Sequence, residues 1–506
     1  MKKIYFSLML AVAALFTACD MDKAPFGSLD ESTAIQSMND ISRYRNIMYT
    51  GMRSMSSGVY LYCPEIQMDM FHGVLGNGNR GGEYSNAIFN SSSSDIEDIW
   101  AACYSHIATA NDFMDKVTAL KESGQFEGDS LTKLGCYEGE AYFYRAYNYY
   151  YLVEKFCQPY NSNNATTAHS GLPLTTKYAP SGDVETYPDR STLAETYELI
   201  EEDLQKAYAG ISAYEALDKS NVAPMAAYIS SYTVLAMQAR VALQKKDYAT
   251  ALAKAEQVIN SGVYTLCDTT NYDKMWTEDT GSEILFRPFE SKSEGLTTYG
   301  SNFLNQNEHQ ADYIPTFEML LLYGDGDVRF NSFFNVWQLA IEGSNYYAYV
   351  FYKFPGNEAL KTSTTRNFAN MMKPFRLSEM YLVAAEAAAE SGNNTAANKY
   401  LNGLRKARII GYEDVNTPAN ALISQIREER LKELIGEGFR MSDLRRWGVG
   451  FQRDANHQEN PNLNSVIVAA GRSMSYEVND HRYTWPIPST EIDANPKLKD
   501  QQNPGY

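Results

Sequence analysis

Apolar residues along most of this chain return at three- and four-residue steps, the period of helices that bury one face. Ser94-Asp95-Ile96-Glu97 reads as a capping box at Ser94, opening a helix whose apolar side runs through Trp100, Cys103, Tyr104, Ile107, Ala110 and Phe113. A second helix is predicted over 131–156, with Tyr142, Phe143, Tyr144, Tyr147, Tyr149, Tyr150 and Tyr151 spread around its circumference. Rings on nearly every side of a helix imply burial between neighbours. A loop over 158–191 carries Gly171-Leu172-Pro173-Leu174. Thr192 and Glu195 then form another capping box, starting a helix to about residue 209.

The next pattern is an echo. Helix–turn–helix pairs are predicted at 224–246 with 248–259, and again at 375–391 with 395–408, each opening at a proline, Pro224 and Pro374. Aligned at the turn, Ala239, Ala242 and Ala251 fall opposite Ala385, Ala388 and Ala397. Small residues at these spacings let two helices approach closely, as in tetratricopeptide-type pairs. An insert at about 263–370 separates the copies; it has strand-like pieces at 283–286 and 346–352 and loops rich in Gly, Asn, Tyr and Asp. The expected fold is therefore mostly α: a tetratricopeptide-like superhelix of helical pairs, with long irregular loop inserts and a few short strands. One domain is expected over 41–506, its function carried by the inserts.

The amino end has a different pattern. Met1-Lys2-Lys3 precedes an apolar run from Ile4 to Phe16, too short to span a bilayer, and Thr17-Ala18-Cys19 follows. This reads as a lipoprotein signal peptide over 1–18, cut before Cys19, whose acyl chains then anchor the protein. An ordinary secretory signal is the alternative. The Gly/Pro-punctuated stretch 19–40 reads as a tether.

Charge narrows the partners. With 62 acidic against 44 basic residues the net charge is −18, which argues against nucleic acid and anionic lipid. Thirty-eight tyrosines suit both helix seams and surfaces that stack on polar ligands. Beyond Cys19, Cys63, Cys103, Cys136, Cys157 and Cys267 show no CxxC or metal-ligand spacing and are expected as buried free thiols. Gly76-Asn77-Gly78-Asn79-Arg80-Gly81 matches GxGxxG by letter only, for no βαβ pattern surrounds it. The six histidines are scattered, without HExxH. Asp325-Gly326-Asp327 is too short for an EF-hand, and a structural calcium elsewhere in the loops stays open. No cofactor is expected, and the chain reads as a binding protein rather than an enzyme. Paired carboxylates of the glycosidase kind are a spatial matter that sequence does not decide.

The carboxy-terminal third contains Pro374-Phe375-Arg376-Leu377-Ser378-Glu379-Met380-Tyr381, Leu401-Asn402-Gly403-Leu404-Arg405, Ile426-Arg427-Glu428-Glu429-Arg430, and Glu437-Gly438-Phe439-Arg440. Asp443-Leu444-Arg445-Arg446-Trp447-Gly448 follows, then Pro486-Ile487-Pro488, Asn495-Pro496 and the terminal Asn503-Pro504-Gly505-Tyr506. This string resembles the SusD/RagB family of surface nutrient-binding lipoproteins of the Bacteroidota. Arg430, Glu433, Glu437 and Arg440 are spaced to pair along one helix face, and Arg445 and Arg446 to stack on Trp447 or meet neighbouring carboxylates; these roles are structural.

The resemblance implies a lipid-anchored protein on the outer face of the outer membrane, capturing oligomers for a SusC/RagA-like TonB-dependent channel. Asp20-Met21-Asp22 after Cys19 is consistent with surface export in these bacteria. Most relatives bind glycans and the RagB branch binds oligopeptides. Oligosaccharide is the expected ligand, with oligopeptide the alternative and a surface glycoside hydrolase a third reading. The stretch from Glu65 to His72, leading into the Asn/Gly/Arg loop, looks closer to RagB. The ligand site is expected where two loop regions meet: Phe71, His72, Asn77, Arg80 and Tyr84 from one, Tyr299, Asn302 and Phe303 from the other. Rings would stack on sugar faces or peptide planes, while Arg80 and the asparagines give directional hydrogen bonds.

Overall fold

A capping box at Ser37, with Asp40 as its return acceptor, opens α1 (Met38–Met55). The helical body thus starts within the stretch assigned to the tether. The computed structural model describes residues 35–75, 80–222, 226–305, 309–453, 455 and 458–506; Cys19, Asn77 and Pro224 lie outside these. After α1 come α2 (Val59–Ile66), β1 (Phe71–Gly73), α3 (Ser94–Glu122), α4 (Gly128–Phe156), α5 (Leu193–Glu215), α6 (Ser231–Gln244) and α7 (Tyr248–Ile259). The insert holds β2 (Ile284–Phe286), β3 (Tyr313–Pro315), β4 (Phe334–Ile341) and β5 (Ser344–Phe351). Then follow β6 (Phe375–Arg376), α8 (Leu377–Glu390), α9 (Asn394–Arg408), α10 (Ala419–Leu434) and α11 (Arg440–Trp447).

The expected scaffold is present. Helix α4 runs between α3 and α5, and its Phe143, Tyr144, Tyr149 and Tyr150 are buried. The α4–α5 approach is unusually close: a Cβ at Gly210 would stand 2.3 Å from the Gly135 carbonyl oxygen, so only glycine fits there. The two helix pairs meet although the insert separates them. Helix α8 packs on α7 as well as on α9, and Ala239, Ala242, Ala251, Ala385, Ala388 and Ala397 are all buried at these seams. The stack is therefore continuous across the insert. Among the described residues no helix is long and apolar enough to cross a membrane, and the five described cysteines are buried free thiols.

Several local expectations are corrected. Ser93, not Ser94, is the N-cap of α3, and its side chain bonds Glu83 rather than the helix. The residues after Pro374 form strand β6, which pairs with β2, and the helix starts only at Leu377. A backbone ladder to the insert thus displaces the first helical turn. Arg430, Glu433, Glu437 and Arg440 do not pair with one another, because α10 ends at Leu434 and tertiary partners take each charge. Arg430 meets Asp443, Arg440 meets Asp69, and Glu437 meets Lys353 and Arg376. Arg446 pairs with Glu386 of α8 and lies over the Trp447 ring, as expected.

Glu433 is the hub of a buried charge lattice. It accepts from Arg329 at 3.1 Å, Arg376 at 2.8 Å and Arg408 at 3.0 Å. Glu283 of the insert also binds Arg376 and Arg408, at 3.0 and 2.8 Å. Insert and helices are thereby locked by buried charges that share partners, for Arg329 also pairs with Asp327 and Glu429, and Arg376 with Glu437.

Candidate functional site

The insert and the carboxy-terminal segment build one β-rich face. Strand β1 pairs antiparallel with β3, Phe71 opposite Pro315 and Gly73 opposite Tyr313. Beyond β1, Val74 bridges Ile467 and the Leu75 N–H donates to the Val466 carbonyl at 2.7 Å. Strands β4 and β5 form a hairpin closed by Glu342 and Gly343, at φ 49° and 81°, the two positive-φ positions that a tight hairpin turn of matching twist requires. The Gln458 carboxamide ties this hairpin down: it accepts from Tyr349 N–H at 2.7 Å and donates to the carbonyls of Pro315 and Tyr349 at 2.9 and 3.0 Å.

At the free end of the hairpin a groove opens between Ser344–Tyr347 on one side and Asn460–Ser465 on the other, enclosing about 980 Å³ with the open water at its mouth included. Tyr347 stands 64% exposed. Asn345, Asn460, Asn462 and Asn464 supply carboxamides and Ser344 and Ser465 hydroxyls; among the described residues no charged side chain lines it. Asn460 caps the short turn Pro461–Ser465, accepting from Asn462 N–H at 3.2 Å, and donates to the Tyr347 carbonyl at 3.2 Å. These contacts hold the loop against the hairpin. The surface offers a planar ring beside neutral donors and acceptors, a match for hydroxyl-rich ligands without charge.

The structure does bring the two expected loop regions together, but it places their rings inside. Phe71 and Phe303 lie 5.1 Å apart between centroids, and Tyr299 is 5.6 Å from Phe303; all three are buried, as is His72. Tyr84 is buried too, stacked on Phe89 at 5.6 Å. These rings have neighbours on their faces and offer no platform to solvent. The glycine-rich loops carry aromatics because rings pin the loops to the scaffold. Arg80 does reach the surface: its side chain is 54% exposed, pairs with buried Asp312 and donates to the Ser301 carbonyl at 2.7 Å. Asn302 lines a different groove, with Thr50, Arg53 and Thr298, beside a second groove bearing the exposed Tyr228 and Phe289 and the Arg53–Glu294 pair. Asn77 lies outside the described residues.

The Tyr347 groove escaped the sequence reading, although Asn460-Pro461-Asn462-Leu463-Asn464-Ser465 is a dense run of amides at the end of the chain. Its partner segment read only as a strand. Nothing in either piece alone indicates that they face each other.

Comparison with known proteins agrees with this architecture. The SusD family model matches residues 335–506, and the model described as "Starch-binding associating with outer membrane" matches 21–243. SusD-like protein P2 of Formosa agariphila is 23% identical, with both chains covered in full. A SusD superfamily protein of Bacteroides thetaiotaomicron superimposes with a TM-score of 0.73 at 26% identity, over 92% of this chain and 99% of the other. A laminarin-binding SusD-like protein superimposes with a TM-score of 0.68 at 20% identity, over 93% and 100%. With both ends of the chain matched by models of one family and its helical stack shared across nearly its whole length, this protein belongs to the SusD/RagB family.

Proposed function

We propose that the protein is a surface glycan-binding protein of the outer membrane, capturing oligosaccharides and delivering them to a SusC/RagA-like TonB-dependent channel. The observation that carries the ligand class is the uncharged groove at the hairpin end, where exposed Tyr347 stands among four asparagines. A sugar ring stacks its C–H face on a phenol ring while its hydroxyls exchange hydrogen bonds with carboxamides, and no charge has to be desolvated. The starch-binding, outer-membrane description of the matching family model supports the same class and location. The channel partner rests on the family resemblance, and the anchor on Thr17-Ala18-Cys19.

The test is calorimetric titration of the full mature chain with neutral malto- and laminari-oligosaccharides, and with mixed oligopeptides of equal length. Saturable heat with an oligosaccharide, and none with peptides, is expected. Saturable heat with peptides alone overturns the glycan reading in favour of an oligopeptide-binding protein.

A further inference from the structure

The β4–β5 register sets Gln338 directly opposite Tyr347. The hairpin turn is two residues long, so Ile341 and Ser344 form the first hydrogen-bonded pair, and Leu339–Tyr346 and Trp337–Ala348 follow at two-residue steps. Gln338 and Tyr347 fall between these as a non-hydrogen-bonded pair. Side chains stand closest in such pairs, where Cα atoms are about 4.5 Å apart. Their face of the hairpin is the outer one: Val336 on it is exposed, whereas Ala348 and Val350 on the other face are buried.

The Gln338 carboxamide uses this proximity, and its Nε2 donates to Tyr347 Oη at 3.2 Å. Among the described residues no other hydrogen bond reaches this hydroxyl, and no aromatic ring packs on the Tyr347 ring. The backbones of both residues are fastened. Asn460 Nδ2 donates to the Tyr347 carbonyl at 3.2 Å on the groove side. On the opposite edge, His309 Nδ1 donates to the Gln338 carbonyl at 3.2 Å, and the Ala340 N–H donates to the His309 carbonyl at 2.8 Å. Gln338 is therefore a fixed post beside a ring that stands 64% exposed. A ring so exposed ordinarily samples rotamers, and a ligand that stacks on it has to freeze them at a cost in affinity. The carboxamide restricts that motion before a ligand arrives. With its oxygen accepting from Gln338, the hydroxyl keeps its own hydrogen to donate to a ligand oxygen.

We propose that Gln338 is a positioning residue of the glycan site, holding the Tyr347 ring ready as a stacking platform and turning its hydroxyl into a donor toward the sugar. This rests on the oligosaccharide reading of the groove. Gln338 contributes to binding only through the Tyr347 hydroxyl, so the two residues act as one unit.

The test is a double-mutant cycle, by isothermal titration of the full mature chain with the malto- or laminari-oligosaccharides. Gln338→Met keeps the length of the side chain without its donor, and Tyr347→Phe keeps the ring without its hydroxyl. In the wild-type background Gln338→Met is expected to raise Kd about two- to fivefold, the cost of ordering one side chain on binding. In the Tyr347→Phe background the same substitution is expected to leave Kd unchanged. A role confined to the stability of the hairpin would act alike in both backgrounds. Unchanged Kd in Gln338→Met, or an equal rise in both backgrounds, overturns the assignment while the glycan reading stands. A wild type that gives no saturable heat with any oligosaccharide overturns the glycan reading, and this assignment with it.

Discussion

Arg376 and Glu433 are both fully buried and joined at 2.8 Å, linking the strand that closes the insert to the helix α10 beyond it. Burial by itself would raise the Glu433 pKa, but Arg408, Arg376 and Arg329 hold it well below the ordinary carboxylate value. Removing the carboxylate takes one charge partner from each of three buried guanidinium groups, which keep Glu283, Glu437, Asp327 and Glu429 between them. Glu433→Ala is expected to cost about 3–5 kcal/mol, read as a lower denaturant midpoint. Because the folded pKa is depressed, this contribution is complete above the unfolded value and is lost as pH falls through the folded one. Acid unfolding should therefore begin below about pH 4.3, the unperturbed glutamate value. A wild-type denaturant midpoint that stays flat down to pH 2 would contradict this.

Glu65 has the opposite sign. Burial lifts its carboxyl to about 7, outweighing the N–H groups of Gly436 and Gly438 that donate to it at 3.1 and 2.6 Å. With the folded pKa raised, the folded state binds the extra proton between 4.5 and 7, so Glu65 stabilises less as pH rises through that window. In Glu65→Gln this component of the pH dependence should vanish. Denaturant midpoints at pH 5 and pH 7 for both proteins check it.

The continuity of α7 with α8 across the insert, together with the charge lattice, predicts one cooperative unit. Calorimetry should show a single transition, and residues 263–370 expressed alone should not fold. Two separable transitions would mark the insert as an independent domain.

The helical stack was legible in the sequence because its causes are local. The Thr192–Glu195 capping box and the alanine seams of both helix pairs appear where their residues predict them. Pro374 misled because the β6 pairing with β2 is a long-range contact that sequence spacing does not reveal. The same limit governs the site. That residues near Phe71 meet residues near Phe303 was legible from their loop chemistry, but not which groups face outward. Burial of a ring depends on the whole set of neighbours: Phe303 is enclosed by nearby Tyr299 and by Tyr62, Phe71 and Phe351 from distant parts of the chain. Tyr347 is exposed for the converse reason, lying on a two-stranded hairpin with no third strand paired to it among the described residues.

Phe303 and Tyr347 should consequently respond in opposite ways. Phe303→Ala opens a cavity in the aromatic core and is expected to cost about 3–5 kcal/mol of stability. Tyr347→Ala removes an exposed ring and should change stability by no more than about 0.5 kcal/mol. Thermal melts of the two variants, side by side with wild type, measure this contrast.

The placement of the glycan site is tested most directly by titrating Tyr347→Ala with the oligosaccharide that binds the wild type, with Phe289→Ala from the α1 groove as the control. Loss of the stacking ring is expected to weaken binding by about 1–2 kcal/mol, roughly a five- to thirtyfold rise in Kd, at an unchanged melting temperature. Phe289→Ala should bind like wild type. Wild-type affinity in Tyr347→Ala, with the loss appearing instead in Phe289→Ala, would contradict the assignment and move the site to the groove beside Arg53.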